Sequence, residues 1–180
     1  MNLNQLLILI KSDVLRLSIS EQQDSFSHVW IKVFNPRLFP VLLFRLSRYC
    51  YLTKWLKFFS PVFSWLNVIL FGIEITPRCN IGSGLMVPHS VGTVIGASSI
   101  GNHATIFQGV TLGAAALDLA FDASLRPQVG DNVVIGAGAK VLGGILIGDN
   151  VKIGANAVVL DSLMANTVAV GVPAKAISKN

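Results

Sequence analysis

No glycine occurs before Gly72, and only two aromatic residues, Phe107 and Phe121, occur after Phe71. The two absences are complementary and place a boundary near residue 72. Acidic residues are missing between Asp24 and Glu74, a stretch that holds Lys32, Arg37, Arg45, Arg48, Lys54 and Lys57. Residues 1–60 carry eight Lys/Arg against three Asp/Glu, and residues 61–180 carry six against six, so the net charge of +5 sits in the first third. The two cysteines, Cys50 and Cys79, lie on opposite sides of the boundary and match no metal spacing, which leaves reduced thiols in a cytoplasmic protein as the expectation. A long apolar run is also lacking. Phe58 to Ile73 is uncharged but contains Pro61, Ser60, Ser64 and Asn67, and it falls short of the roughly 20 apolar residues that span a bilayer. Leu6 to Ile10 is too short for a signal sequence, and Lys11 and Asp13 follow it.

The basic stretch is interleaved with large apolar residues and carries no reading-helix or stacking motif, which argues against nucleic acid. Two uses remain. One is a helical cap packed on the rest of the chain or on a neighbouring subunit. The other is a basic amphipathic surface in peripheral contact with an anionic inner-membrane leaflet. Leu6, Leu7, Ile10, Val14 and Leu17 share one helical face, which predicts a helix over Leu3 to Ser18. Glu21 to His28 reads as a polar connector. Asn35-Pro36 and Ser60-Pro61 each read as an N-cap followed by proline, predicting helices over 37–58 and 61–71.

Beyond residue 72 the aliphatic residues recur in sixes: Ile75, Ile81 and Val87, then Val94, Ile100, Ile106 and Leu112, then Val129, Ile135, Val141, Ile147, Ile153 and Val159. Gly follows directly at Ile81, Ile100, Leu112, Val129, Ile135, Ile147 and Ile153. This period fits neither an amphipathic helix nor an alternating strand. It predicts a hexapeptide β-helix in which three short strands make one triangular coil, with Val94, Leu112, Val129, Ile147 and Ala165 stacked on one edge. Asp131-Asn132 and Asp149-Asn150 suit tight corners, and Ala137, Ala139, Ala155 and Ala157 are placed where the coil is narrow. The repeat is lost between Leu112 and Val129, which predicts an extruded loop over 114–128.

Three segments resemble the hexapeptide-repeat acyltransferases, in particular their serine acetyltransferase-like branch. They are Glu74-Ile75-Thr76-Pro77 through Met86-Val87-Pro88-His89, then Gln108-Gly109-Val110-Thr111-Leu112-Gly113, then Ile135 to Gly143 with Lys152-Ile153-Gly154-Ala155 and the ending Gly171-Val172-Pro173-Ala174-Lys175. The resemblance implies a mainly β fold, a left-handed parallel β-helix over 72–180 behind a helical segment at 1–71. It implies homotrimers with active sites between subunits, acetyl-CoA as cosubstrate and no metal.

By the same resemblance His89 is the general base that removes the acceptor hydroxyl proton, and Glu74, fifteen residues earlier, holds the imidazole. Ala114, Ala137 and Ala155 would offer backbone amides to acetyl-CoA, that of Ala114 near the thioester, where it stabilises an oxyanion. Lys152 and Lys175 would meet phosphates. Arg126 and Gln108 are the candidate acceptor-binding residues. His103 reads as a turn residue, and His28 has no assigned role.

The chain departs from serine acetyltransferases at specific positions. Pro88 stands where they have Asp, and Ser124-Leu125-Arg126-Pro127 stands where they have Asp-Arg-His-Pro. Glu74 after Phe71-Gly72-Ile73 looks more like relatives in capsule and exopolysaccharide synthesis. The expectation is therefore O-acetylation of a sugar hydroxyl in bacterial polysaccharide synthesis, with a saccharide acceptor. The alternative is serine O-acetylation for cysteine synthesis. A non-catalytic β-helix scaffold ranks lower. A carbonic-anhydrase-type metal enzyme ranks lower still, since only His89 and His103 lie in the repeat.

Overall fold

The computed structural model describes residues 1–20 and 35–177. The predicted connector Glu21 to His28, with Asp24, and Lys32 lie outside the described residues. Helix α1 spans Leu3–Ser20, α2 Phe39–Leu52 and α3 Ser60–Phe71, with a short 3-10 turn at Lys57–Phe59 before α3. The single helix predicted over 37–58 is thus shorter at both ends. Asn35 does not cap it directly. It forms a turn in which its carbonyl accepts from Leu38 and Phe39, and the helix begins with Pro40 in its first turn, where no amide proton is needed. Ser60 is likewise the first residue of α3 rather than its cap. Its hydroxyl lies 3.1 Å from that of Ser47. Gly72, at φ 61°, closes α3 in the left-handed conformation and turns the chain into the first strand.

Fourteen short strands follow in three sheets. The first sheet stacks β1 (Ile73–Ile75), β3 (Thr93–Ile95), β6 (Thr111–Gly113), β9 (Lys140–Leu142) and β12 (Val158–Val159). The second stacks β2 (Asn80–Ile81), β4 (Ser99–Ile100), β7 (Gln128–Val129) and β10 (Leu146–Ile147). The third stacks β5 (Thr105–Ile106), β8 (Val134–Ile135), β11 (Lys152–Ile153), β13 (Val168–Gly171) and β14 (Ala174–Ile177). All pairings are parallel except that of β13 with β14. From β1 to β13 each strand pairs with the strand one coil away, so the chain winds as a three-faced parallel β-helix, and β14 folds back on β13.

Three buried aliphatic columns fill the prism. Ile75, Ile95, Leu112, Val141 and Val159 are in register on the first face. Ile81, Ile100, Val129, Ile147 and Leu163 line the second. Ile106, Ile135, Ile153 and Ala169 line the third. The predicted edge of Val94, Leu112, Val129, Ile147 and Ala165 does not exist. Val94 faces outward beneath Thr111, and Leu112 and Val129 belong to different faces. Equal spacing fails as a guide because the extruded loop lengthens one coil. Ala139 and Ala157 are fully buried as expected, whereas Ala137 and Ala155 stand at the outer corner.

Two of the three corners are built from left-handed residues. Gly92, Gly109, Gly138 and Asn156 stack at one, and His103, Asn132, Asn150 and Asn166 at the other. These positions suit Gly and Asn because a Cβ is costly at positive φ. His103, at φ 58°, is one of these turn residues, as its sequence context predicted.

The helices dock on the first coils through arginines. Arg45 is fully buried on α2. It pairs with Asp13 of α1 at 2.9 Å and donates to the carbonyls of Ile81 at 2.7 Å and Gly82 at 2.6 Å. Asp13 also accepts from the Leu85 amide at 2.9 Å. Burial pushes the Asp13 carboxyl above its usual range, against the pull of Arg45. Arg16 donates to Ala104 at 2.7 Å, and Arg48 to Pro77 and Asn80, each at 2.9 Å. The basic stretch is therefore not a uniform charged surface. Arg45 and Arg48 point inward and peg α2 to the β-helix.

Candidate active site

His89 follows Pro88 in the segment between the second-sheet strand β2 and β3. Ser90 donates to the Phe71 carbonyl at 2.9 Å, and the Gly92 amide donates to Gly72 at 2.9 Å. These bonds tie the histidine segment to the end of α3, immediately before β1. Glu74 is the outward residue of β1. Both side chains are exposed, and neither makes a hydrogen bond or ion pair with a described residue.

The corner bearing Gly92, Gly109, Gly138 and Asn156 gathers further candidates. Gln108 is exposed there, and its carbonyl accepts from Gly138 at 2.8 Å. Ala137 accepts from Asn156 at 2.8 Å, which stacks Ala137 one coil from Ala155. Lys152 and Lys175 both belong to the third sheet, which runs into this corner. Lys152 pairs with Val168 of β13, and Lys175 with Val170 of the same strand. Lys140, on the first face, donates to Gly109 at 2.5 Å.

Ala114 and Arg126 are elsewhere. They flank the loop, which leaves the first face at its far end, beyond Gly113 and Gly96. The strand β3 separates Gly92 from Gly96, a distance of roughly 13 Å at the rise of a strand. Within one chain the structure does not bring Gln108 and Arg126 together.

Arg126 is committed to holding the loop. Its Nε donates to Asp118 at 2.9 Å, its Nη1 to the Gly96 carbonyl at 2.9 Å and its Nη2 to the Asp118 carbonyl at 2.9 Å. Its guanidinium also lies 4.1 Å from the centre of the Phe121 ring. Arg78 approaches the same ring at 5.6 Å and donates to Ala120 at 2.6 Å. Asp118 and Phe121 of the loop, and Arg78 before β2, hold the loop in place, and the sequence motifs do not point to them. The available signal was a lone aromatic and two carboxylates in a run, 114–125, otherwise made of small and aliphatic residues.

Neither thiol is suited to nucleophilic work. Cys79 is buried in the β-helix core, and burial pushes its pKa up to about 12. Burial also raises Cys50. A thiol becomes nucleophilic when its pKa falls, not when it rises.

A β-helix with an exposed histidine at a corner and an extruded loop defines the class. Residues 126–161 match the family described as bacterial transferase hexapeptide (six repeats). Over 146 residues the chain is 43% identical to the serine acetyltransferase of Helicobacter pylori strain J99, covering 81% of this chain and 83% of that protein. It is 44% identical over 159 residues to the serine acetyltransferase of Synechocystis, covering 87% of this chain but only 62% of that longer protein. The chain belongs to the serine acetyltransferase family of hexapeptide-repeat transferases, whose reaction is acetyl-CoA-dependent O-acetyl transfer. Neisseria gonorrhoeae serine acetyltransferase in complex with serine superimposes with a TM-score of 0.81 at 29% identity, covering 97% of this chain and 70% of that one. A serine acetyltransferase in complex with CoA gives 0.81 at 28%, covering 97% and 71%. These matches identify the coil as the left-handed β-helix.

The expected sugar acceptor and capsule character are overturned by these relatives, which are serine acetyltransferases. One departure that pointed to a sugar, and part of the basic stretch, serve the fold instead. Arg126 departs from the family pattern and buttresses its own loop. The basic N-terminal stretch spends Arg45 and Arg48 on docking helices. Among the described residues no helix is long and apolar enough to cross a membrane.

Proposed function

We propose that this protein is a serine O-acetyltransferase, moving acetyl from acetyl-CoA to the hydroxyl of L-serine. The carrying observation is the 43% identity to a serine acetyltransferase of which the chain spans 83%. His89 is the general base. As the serine oxygen attacks the thioester carbonyl, the imidazole takes the hydroxyl proton. The tetrahedral oxyanion is held by backbone N–H groups, with the Ala114 amide as the candidate donor. The intermediate collapses, the C–S bond breaks, and the imidazolium proton goes to the departing CoA sulfur. Glu74, exposed like His89 and not bonded to it in this structure, is the candidate to orient the imidazole and stabilise its charged form. Ala137 and Ala155 line the acetyl-CoA path, with Lys152 and Lys175 toward its phosphates. Gln108 is an acceptor-side candidate. Arg126 acts by shaping the loop.

The assembly is a homotrimer. The separation of the His89 corner from the loop within one chain supports this, since a site using both draws them from two subunits. His89→Asn tests the assignment. Turnover falls by about 10²-fold or more while acetyl-CoA still binds in calorimetry. Retained turnover refutes the base.

A further inference from the structure

Helix α3 is inside out. Its two buried residues are polar, Ser60 and Asn67, with Ser64, Phe63 and Phe71 half-buried beside them. Ser47 of α2 donates to the Ser60 carbonyl at 3.0 Å and lies 2.9 Å from the Ser64 hydroxyl, and Asn67 donates to the Pro40 carbonyl at 2.9 Å. The outward side is apolar. Trp65 is 69% exposed and Ile69 70%, with Val62 and Leu66 on the same stripe. Just before α3, Trp55 is 87% and Phe58 82% exposed. Helices of water-soluble proteins show the reverse arrangement, and a contiguous exposed apolar patch marks an interaction surface. Small and hydroxylated residues between helices, with apolar residues outside, is the pattern of helices packed against lipid.

We propose that this face, formed by α3 and the turn before it, lies on the surface of an anionic lipid leaflet. Charge selects this occupant. Lys54 and Lys57 are exposed beside the aromatic residues, and no carboxylate occurs from residue 35 to residue 73. Two copies paired patch to patch across a two-fold axis would oppose like charges with no acid between them. An anionic headgroup layer neutralises both lysines while Trp55, Phe58, Trp65 and Ile69 enter the acyl boundary. At 12 residues, about 18 Å, α3 lies in the interface and does not cross it.

The test is flotation of the full-length protein with phosphatidylcholine vesicles, with and without phosphatidylglycerol. It is run alongside Trp65→Ser/Ile69→Ser and Lys54→Gln/Lys57→Gln, with sedimentation velocity and thiol release measured on each. The wild type floats and does so more with phosphatidylglycerol. The apolar double variant partitions at least about tenfold more weakly. The lysine double variant loses the preference for phosphatidylglycerol. All three keep the same sedimentation coefficient and the same turnover. Brominated acyl chains quench the wild-type tryptophan fluorescence. A wild type that stays with neither vesicle overturns the proposal. So does equal flotation of the wild type and the apolar variant. A smaller assembly in that variant, without lipid binding by the wild type, identifies the face as a contact between copies and also overturns it.

Discussion

Replacing Arg45 with Met removes the most deeply buried charge that joins the helices to the β-helix. The Arg45 side chain has no exposed surface, its ion pair with Asp13 measures 2.9 Å, and it alone donates to the carbonyls of Ile81 and Gly82 from α2. Arg45→Met leaves the Asp13 carboxylate buried with only backbone amides, those of Leu85 and Gly84, as donors among the groups that now hold it. Breaking one side of such a pair costs about 3–5 kcal/mol. For a chain of this size that lowers the melting temperature by roughly 6–20 °C. The cost should be shared between partners. Asp13→Leu combined with Arg45→Met removes the stranded charge, so the double variant costs less than the sum of the singles by about 2 kcal/mol or more. Urea unfolding followed by circular dichroism, at one fixed protein concentration, measures all four corners of the cycle. Lys57→Ala, on an exposed residue, is the control and changes stability by no more than about 0.5 kcal/mol. A loss below about 1 kcal/mol for Arg45→Met, or strict additivity in the cycle, refutes the pegging role.

Gly138→Ala places a Cβ at φ 73° against the Asn156 side chain and costs about 1–3 kcal/mol, whereas Gly113→Ala meets nothing within 4 Å and is mild by comparison; thermal melts compare the two. Arg126→Ala releases the loop from Asp118, Gly96 and Phe121. It raises KM for the acceptor more than for acetyl-CoA, and limited proteolysis shows faster cleavage over 114–128. The amide of Asn102, donating at 2.7 Å, holds the Asp131 carboxyl below its usual 3.8. Its contribution to stability is complete above the unfolded pKa near 4 and is lost as pH falls through the lower folded value. Acid melts of Asp131→Ala should therefore lack part of the wild-type loss below pH ~4.

The β-helix is legible in the sequence because every coil repeats the same demand for an aliphatic residue inward and a left-handed residue at the corner. Asn132 and Asn150 announce their corners for that reason. The stacking register is not legible. Loop length changes the residue count of a coil without changing its geometry, so Leu112 and Val129 look equivalent in sequence and occupy different faces. The docking arginines are hidden for a different reason. Arg45 and Arg48 are indistinguishable from surface charges until Asp13, far away in sequence, is placed beside one of them. The same limit applies to Arg126, whose partner Asp118 lies in the loop itself. In sequence its departure from the family pattern resembles a change of acceptor, whereas its contacts give it a structural task. The candidate base and carboxylate, His89 and Glu74, emerge from motif and phase, and the structure puts both on the outer surface at the end of α3.

Whether this β-helix acetylates serine is decided by thiol release from acetyl-CoA with the purified protein and L-serine, the product being analysed by mass spectrometry. Release is expected to require L-serine, to yield O-acetylserine and to disappear in His89→Asn. Undiminished acetyl transfer without serine, or no release with serine while acetyl-CoA demonstrably binds, would contradict the serine acetyltransferase assignment.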